Sequence, residues 1–361
     1  MRTHLVLSTL LLASLATAGP IEVTPHLLFD GTVGNDNVAG PRLASESGFP
    51  YAVFQVRGVG PFGVGPGLVV LQELRADGEP IGPARWIDAT TSAGLPDASG
   101  EFVVFARPDV GDVALFQKTI LQTFSGTLAG SPGTLEQARI SGSDVVAGSD
   151  VGFVLADNIF GAFVPAVVRG PVPFSEGPEI DAGLMVWQER VSGLEAAVRA
   201  QEIGGGSFFV FSGNLADGFD EVDPAVWREQ VAFGLIDTST GLGDIVLRDI
   251  GADTTRTYSL GFAGLGELAL TRDFLGFEAD DANGVQQAYL MRLSDGELLQ
   301  LTQGPLGGGD VDVFGDLVTY VSGQQAFVGQ IGEGAQPVPE PGTLVLCGFA
   351  AAGFWLRRRR S

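Results

Sequence analysis

A short apolar strand that ends in a large side chain recurs along this chain at intervals of about 43 residues. Six copies end in an aromatic residue: Tyr51–Phe54, Phe102–Phe105, Leu184–Trp187, Val231–Phe233, Phe274–Phe277 and Leu317–Tyr320. A weaker copy, Val145–Gly148, fills the single gap in the series. A fixed period of this length is typical of repeat architectures, in which each unit buries its apolar faces against its neighbours. The repeat therefore constrains the fold more than any other feature of the sequence.

Inside each unit the pattern is that of β-strands joined by tight turns. Leu71–Glu79 and Leu290–Glu297 are similar, and each carries an Asp-Gly pair that suits the positive φ angles of a hairpin turn. No long stretch has helical periodicity, and 53 glycines and 20 prolines punctuate the chain. The sequence predicts an all-β fold in residues 19–336, a β-propeller of six or seven four-stranded blades. Residues near Ile21–Phe29 are expected to complete the last blade, and a pair of β-sandwiches is the alternative.

The units also resemble the TolB-like and WD40-like propeller repeats of exported bacterial proteins. The best copy runs through Asp223–Trp227, Val231–Phe233 and Asp244–Leu247, and the resemblance is clear over residues 182–331 and looser in the first half. It implies a propeller fold. An activity taken from this likeness would rest on fold-level analogy alone.

The C-terminal residues show three features in a fixed order. The tripeptide Pro339-Glu340-Pro341 precedes an uncharged apolar run, Thr343–Leu356, and four arginines follow it: Arg357, Arg358, Arg359 and Arg360. The prolines keep Glu340 out of a regular helix. The run of 14 residues would form a short transmembrane helix of about 21 Å, with its arginines on the cytoplasmic side.

This segment, residues 337–361, resembles a PEP-CTERM sorting signal. The resemblance implies that an exosortase, a membrane transpeptidase-like enzyme of Gram-negative bacteria, recognises the tail and removes it beside Pro339–Pro341. The alternative is a generic tail anchor that is never cut.

The N-terminus, Met1–Ala18, has the features of a cleavable secretory signal peptide. Arg2 precedes the apolar stretch Leu5–Leu15, and Ala16 and Ala18 form a small-x-small cleavage site. Export through the Sec translocon is therefore expected. Together the two ends predict a protein that is held briefly in the inner membrane and then reaches the cell surface or the extracellular space.

Composition excludes several classes of function. The net charge of −23 disfavours nucleic acid as a partner. The only cysteine, Cys347, lies in the tail, so the body has no disulfide or thiol nucleophile. Lys118 is the only lysine, and His26 is the only histidine outside the signal peptide. A His-rich metal site is thus excluded, and a Ser-His-Asp triad would need His26, for which a structural role is the preferred interpretation.

Acidic residues recur ahead of the aromatic strand, at Asp97, Asp181, Asp223 and Asp310. If these positions are equivalent in the blades, they could form a carboxylate ring for cations or sugars. The favoured interpretation is that each aspartate accepts backbone N–H hydrogen bonds between blades.

Three loops carry oxygen ligands that suit calcium, although none has the spacing of the common calcium hand: Asp30-Gly31, Asn35–Asn37 and Asp280–Gly284. No cofactor is expected, with calcium as a weak candidate. Four aromatic side chains could stack on sugars, but their strand positions predict blade core: Trp187, Trp227, Phe233 and Tyr320.

These features favour a non-enzymatic surface or extracellular-matrix protein whose propeller binds polysaccharide or protein. The alternative is an extracellular hydrolase or lyase that acts through carboxylates in the propeller channel. The sequence singles out no acidic pair, so no catalytic residue is predicted. An enzyme should bring two or three acidic residues together in one pocket with raised pKa values, whereas a binding module should show a shallow face with scattered ones.

Overall fold

The computed structural model of the protein describes residues 19–31, 36–60, 63–88, 93–126, 135–149, 152–156, 165–169, 178–190, 196–203, 208–211 and 218–333. Residues 23–331 form one compact unit. The predicted signal peptide, residues 1–18, and the predicted sorting signal with its membrane helix, residues 337–361, lie outside the described residues. Within the described ranges, no helix has the length and apolar character needed to cross a membrane.

The described strands pair into seven sheets of four, which we number as blades along the chain. After β1 (Ile21–Asp30), blade 1 contains β2 (Asp36–Glu46), β3 (Phe49–Gly60), β4 (Gly63–Leu74) and β5 (Pro80–Asp88). Blade 2 contains β6 (Asp97–Ser99), β7 (Phe102–Arg107), β8 (Asp112–Gln117) and β9 (Gln122–Gly126). Blade 3 contains β10 (Leu135–Ser141), β11 (Asp144–Ser149), β12 (Gly152–Ala156) and β13 (Pro165–Arg169).

The remaining blades repeat this order. Blade 4 contains β14 (Glu179–Asp181), β15 (Leu184–Arg190), β16 (Ala196–Glu202) and β17 (Phe208–Val210). Blade 5 contains β18 (Phe219–Trp227), β19 (Gln230–Asp237), β20 (Leu242–Asp249) and β21 (Thr254–Ala263). Blade 6 contains β22 (Gly266–Leu270), β23 (Phe274–Asp280), β24 (Gln286–Arg292) and β25 (Leu298–Gln300). Blade 7 contains β26 (Gly308–Phe314), β27 (Leu317–Ser322), β28 (Gln325–Glu333) and, beside β28, β1.

The first strand of every blade contacts the first strand of the next blade. This series runs from β2 through β6, β10, β14, β18 and β22 to β26, and β26 in turn contacts β2. Seven inner strands therefore surround a central channel, as in a β-propeller. The predicted propeller is confirmed, the blade number is seven in the described residues, and the alternative of two β-sandwiches is wrong.

The N-terminal strand β1 closes the ring by completing blade 7. Gly31 N–H donates to the carbonyl of Gln324 at 3.1 Å, and Gln325 Nε2 donates to Asp30 Oδ1 at 3.2 Å. A β-carbon on Gly329 would collide with Val23, so the two strands approach closely there. The predicted use of the first residues of the body to complete the last blade is confirmed.

The aromatic strand is the second strand of its blade in every copy, from β3 to β27. Its terminal aromatic side chain packs between blades, as the side chains of Phe54, Phe105 and Trp187 show, each 0% exposed. Phe105, for example, lies in one apolar cluster with Tyr51 of blade 1. The core is therefore a series of layers between blades, as the repeat predicts.

The aromatic residues and the Asp-Gly turns that the sequence predicts can both be located in the blades. Phe233 and Tyr320 are buried like Trp187, which confirms the core interpretation, whereas Trp227 is only partly buried and lies 4.8 Å from the Arg228 guanidinium. The predicted Asp-Gly turns are present, with Gly78 at φ 87° and Gly296 at φ 77°.

We expect Phe105→Ala to lower the free energy of unfolding by about 3–5 kcal/mol, because it leaves a cavity between blades 1 and 2. Phe49→Ala, in the neighbouring hairpin, removes a side chain that is 69% exposed and should change stability by less than ~0.5 kcal/mol. Urea unfolding of the two variants measures both values. Equal losses would contradict the assignment of the aromatic repeat to the core.

Candidate functional site

One position of each inner strand lies at the same level of the channel. At this position the residue pairs with the penultimate residue of the apolar repeat in the second strand, such as Val104 in blade 2 or Thr319 in blade 7. Blade 3 differs by one residue, because Arg139 pairs with Val146, the second residue of the weaker copy. We call this set the channel ring; from blade 1 to blade 7 its members are Arg42, Asp97, Arg139, Glu179, Ala225, Ala269 and Asp312. Two cations and three carboxylates thus share one level.

The charged members of the channel ring form ion pairs across the channel. Arg42 Nη2 lies 2.5 Å from Glu267 Oε1 and 3.9 Å from Glu179 Oε1, and Arg42 Nη1 lies 3.6 Å from Asp312 Oδ1. Arg139 Nε lies 2.7 Å from the same oxygen of Glu179. Side chains of blades 1, 3, 4, 6 and 7 are therefore linked, and the side chain of Arg42 is only 7% exposed.

Burial and neighbouring charge act on these groups in opposite directions. Burial alone would lower the pKa of Arg42, but the charges of Glu267, Glu179 and Asp312 raise it well above its ordinary value. Burial raises the pKa of Asp97, against the opposing effect of Arg139 and Arg42. Burial likewise raises the pKa of Asp312 to about 6, although Arg42 lowers it.

Two of the three carboxylates of the channel ring also bind the backbone of the next blade. Asp97 Oδ2 accepts a hydrogen bond from Ile140 N at 2.8 Å, and Asp312 Oδ2 accepts one from Leu43 N at 2.7 Å. In both cases the donor directly follows the channel-ring residue of its own strand. The favoured interpretation, that these acids bind backbone N–H groups between blades, is confirmed for Asp97.

The four aspartates that recur in the sequence do not lie at one level. Asp97 belongs to the channel ring, Asp181 lies two residues after that position in its strand, and Asp223 and Asp310 lie two residues before it. Asp223 and Asp310 have φ values of 46° and 48°, and the ladder shifts register directly after each, as at a β-bulge. The hypothesis of a single ring of four equivalent carboxylates is therefore wrong, because the four residues lie at three different levels of their inner strands.

The remaining aspartates also have partners in neighbouring blades. Asp181 accepts hydrogen bonds from Arg228 N at 2.7 Å and from Ser141 Oγ at 3.1 Å, so it joins three blades. The backbone of Gly40 in blade 1 donates to Asp310 in blade 7. The backbone interpretation is confirmed for these two residues as well.

Three carboxylates converge at the bulged end of the inner strands of blades 6 and 7. Oxygen atoms of Glu267, Glu278 and Asp310 all lie within 4.8 Å of one another. Glu278 Oε1 accepts the N–H of Asp310, and its Oε2 accepts a hydrogen bond from Gln286 Nε2 at 2.7 Å. Arg42 neutralises Glu267 from the channel side. We call these three residues the acidic cluster.

Within the acidic cluster, Glu278 retains its proton in the neutral pH range. Burial, followed by the negative charge of Glu267, raises the pKa of Glu278 to about 8. Burial and Glu267 also raise the pKa of Asp310 to about 6. Three carboxylates at this separation could ligate a hard divalent cation such as calcium, but the cation would have to displace the proton on Glu278.

Sequence reasoning missed Arg42, Glu179, Glu267, Glu278 and Asp312. A signal for the channel ring was present, because in blades 2, 4, 5, 6 and 7 its member lies eight residues ahead of the last residue of the apolar repeat. A fixed offset from the aromatic residue would have found Asp97, Glu179 and Asp312. The acidic cluster had no such signal, because Glu278 comes from a second strand.

The loops considered for calcium are held by internal hydrogen bonds where the structure describes them. Asp281 Oδ1 accepts the N–H groups of Asn283 at 2.8 Å and Val285 at 3.0 Å. Asp30 accepts a hydrogen bond from Gln325, and Asn35 lies outside the described residues. Calcium at these loops stays a prediction. His26 lies in β1 at the outer edge of blade 7, away from the channel ring.

The residues predicted to direct sorting and cleavage lie outside the described ranges. They are Ala16 and Ala18 at the N-terminus, and Pro339, Glu340, Pro341, Arg357, Arg358, Arg359 and Arg360 at the C-terminus. The predicted role of each of these residues therefore stays a prediction.

Comparison with protein families finds one match, at the C-terminus. Residues 337–360 match the PEP-CTERM protein-sorting motif. This motif is the recognition signal for an exosortase, and it implies export with a membrane-anchor step at the C-terminus. No curated protein matches the chain.

Comparison with solved structures finds β-propellers at low sequence identity. The β-propeller domain of the Trilobed protease from Pyrococcus furiosus is similar with a TM-score of 0.58 and 12% identity, over 82% of this chain and 95% of that chain. A puromycin-hydrolyzing peptidase from Mycobacterium tuberculosis has a TM-score of 0.55 and 16% identity, over 78% of this chain and 49% of that chain. TolB from Acinetobacter baumannii has a TM-score of 0.44 and 16% identity, over 62% and 55% of the two chains.

At these identities the first two likenesses show the fold alone, and the chain spans about half the length of the peptidase. The fold and the motif together define a class. The chain is an exported β-propeller protein with a C-terminal PEP-CTERM sorting motif.

We expect the protein to lose stability as pH rises from about 4.5 to about 8. In this range folded Glu278 keeps its proton, whereas the unfolded chain releases it near the ordinary pKa of 4.5. The folded state therefore binds more protons than the unfolded state, and the free energy of unfolding falls as pH rises. Glu278→Gln should reduce this loss by at least ~1 kcal/mol, as measured by urea unfolding at pH 5 and pH 8.

Asp281→Asn is the matched control. Hydrogen bonds from the backbone of Val285 and Asn283 lower the pKa of Asp281, so this residue titrates below the range tested. Its substitution should leave the difference between pH 5 and pH 8 as in the wild type. A wild-type protein that is equally stable at both pH values would contradict the raised pKa of Glu278.

Proposed function

We propose that this chain is an exosortase-processed surface or extracellular-matrix protein whose non-enzymatic propeller binds polysaccharide or protein. The observation that carries the proposal is the PEP-CTERM motif at residues 337–360, which follows the last strand of the propeller by a few residues. The signal peptide, residues 1–18, would start export, and the tail would hold the protein until it is cut.

A binding role agrees with the pairing of the charged side chains in the channel. Arg42 and Arg139 already pair with Asp312 and Glu179 of the channel ring, and Asp312 also accepts a backbone hydrogen bond. Polar groups that already have such partners gain little free energy from contacts with a substrate. Their contacts join the blades instead. The strongly acidic composition supports a neutral or basic partner and disfavours nucleic acid.

Processing can be tested by the intact mass of the product that a Gram-negative host with its own exosortase releases. We expect a product that lacks residues 1–18 and the residues after about Pro341. A variant with Pro339→Ala, Glu340→Ala and Pro341→Ala should stay in the membrane fraction with Arg357–Arg360 still attached, because the enzyme loses the tripeptide it recognises.

Arg75→Ala is the control, because Arg75 is an exposed residue of the β4–β5 turn, and this variant should be processed like the wild type. Release of both variants with the same mass would contradict recognition through the tripeptide. A wild-type product that keeps its four arginines would identify a permanent anchor instead.

An extracellular hydrolase or lyase is the second candidate, and the acidic cluster is the observation that favours it. Glu267, Glu278 and Asp310 converge, and Glu278 with a pKa of about 8 would be a proton donor at neutral pH. Against this role, both oxygens of Glu278 already accept hydrogen bonds, and Glu267 is paired with Arg42. The non-enzymatic function is therefore the proposal.

We expect the full-length protein to release no reducing sugar ends or unsaturated products from neutral and acidic polysaccharides between pH 5 and pH 8. The measurement is a reducing-end assay combined with absorbance of unsaturated sugars. Turnover that Glu278→Gln abolishes, in a variant that is still folded at the assay pH, would establish the hydrolase or lyase instead.

A further inference from the structure

The first hairpin of blade 1 extends beyond the corresponding hairpins of the other blades. In blades 2 to 7 the ladder between the first two strands ends no more than two residues after the channel-ring position. In blade 1 two further pairs follow, Ser45 with Pro50 and Glu46 with Phe49. At about 3.4 Å per residue, the hairpin projects about 7 Å farther from this face.

A two-residue turn fixes the tip of this hairpin. Ser47 and Gly48 have φ values of 53° and 86°, as in the type I′ turns that suit antiparallel strands. The turn holds Glu46 and Phe49 opposite each other as the last pair of the ladder. The projecting residues are therefore held in place by backbone geometry.

A cavity of about 300 Å³ lies beside this hairpin. Its walls include Glu46 and Phe49 of the hairpin, Glu73 and Ile81 of β4 and β5, and Lys118 from the β8–β9 turn of blade 2. Phe49 is 69% exposed and Ile81 is 43% exposed. Such a volume is at the lower end of the range for small-molecule sites, and it combines an exposed aromatic ring with a few charged groups, as such sites do.

The charged groups of the cavity are fixed by contacts with one another. Lys118 Nζ lies 2.9 Å from Glu46 Oε2 and 3.6 Å from Glu73 Oε1, and 5.0 Å from the centroid of the Tyr51 ring. Tyr51 is fully buried, and its hydroxyl donates to the carbonyl of Gly100 at 2.9 Å. The only lysine of the chain thus holds two carboxylates at the wall of the cavity.

We infer that this cavity binds a neutral sugar unit of a polysaccharide, an inference that rests on the proposed binding function and names its ligand. A sugar ring has a face of C–H groups that packs on an aromatic ring such as Phe49, and hydroxyl groups that donate to carboxylates. The acidic protein repels an acidic polysaccharide. Lys118 already pairs with Glu46 and Glu73, so a cationic side chain would have to displace its ammonium group, and a neutral ligand fits best.

Affinity electrophoresis tests this inference with the full-length protein in a detergent without sugar groups. Native gels are cast with dextran, galactomannan or xylan as neutral polysaccharides, and with alginate as an acidic one. We expect at least one neutral polysaccharide to retard the protein and alginate to have no effect. Phe49→Ala should weaken the retardation at least tenfold in dissociation constant, and Glu73→Gln should weaken it less.

Phe314→Ala is the matched control, because Phe314 is 42% exposed at the equivalent turn of blade 7 on the same face. It should bind like the wild type, and unfolding in urea confirms that both phenylalanine variants are folded. Equal retardation of Phe49→Ala and the wild type would overturn the site but keep polysaccharide binding. If none of the neutral polysaccharides retarded the protein, the inference itself would be overturned. The mass of the exported product tests processing by the exosortase separately.

Retardation by alginate alone, or binding of oligo-lysine in place of the neutral polysaccharides, would also overturn the inference. These outcomes would show that the cavity selects its ligand by charge. The two carboxylates would then act as a cation site, or Lys118 as an anion site, in place of hydroxyl recognition.

Discussion

The pairing of β1 with β28 is the interaction on which the ring of blades depends. Each blade has two apolar faces that are covered only by its neighbours, so an open ring would expose the faces of blades 1 and 7. Leu28 of β1 packs in the same apolar cluster as Phe54 of blade 1 and Val328 of blade 7. Because β1 opens the body and β28 ends it, the fold can be completed only when nearly the whole body is present. Ring closure therefore joins a strand at the start of the body to one that ends just before the sorting motif.

Within the closed ring of blades, ion pairs take the place of apolar packing at the centre. Five of the seven members of the channel ring are charged, and the other two, Ala225 and Ala269, are small. The long side chain of Arg42 reaches Glu267 in blade 6. A buried charge that lost its partner would be costly, so this network specifies which blades face each other across the channel more than it adds stability.

The sequence predicted the fold well because its signal is periodic. The apolar repeat located the second strand of every blade, including the weak copy Val145–Gly148, which forms most of β11. The turns could be predicted where the glycine of an Asp-Gly pair supplies a positive φ angle. The arrangement of charged residues was harder to predict, because its contacts join blades that are far apart in the chain, such as Arg42 with Glu267, and hydrophobic periodicity does not record such contacts. The cavity beside Phe49 was also beyond prediction, since it joins blade 1 to the turn that carries Lys118 in blade 2.

The two candidate sites lie at opposite ends of the inner strands. The acidic cluster lies where β22 and β26 begin, whereas the hairpin with Glu46 and Phe49 follows the end of β2. The channel ring, with its ion pairs, lies between them. A ligand that stacks on Phe49 therefore meets neither the proton of Glu278 nor the charge of Arg42, and substitutions at the two ends should act additively.

Because of this separation, the residues at the centre of the propeller can hold the blades in their arrangement while the hairpins of one face vary in length and sequence. The longer hairpin of blade 1 is such a variation, since it adds two residue pairs at a turn and leaves the channel ring unchanged.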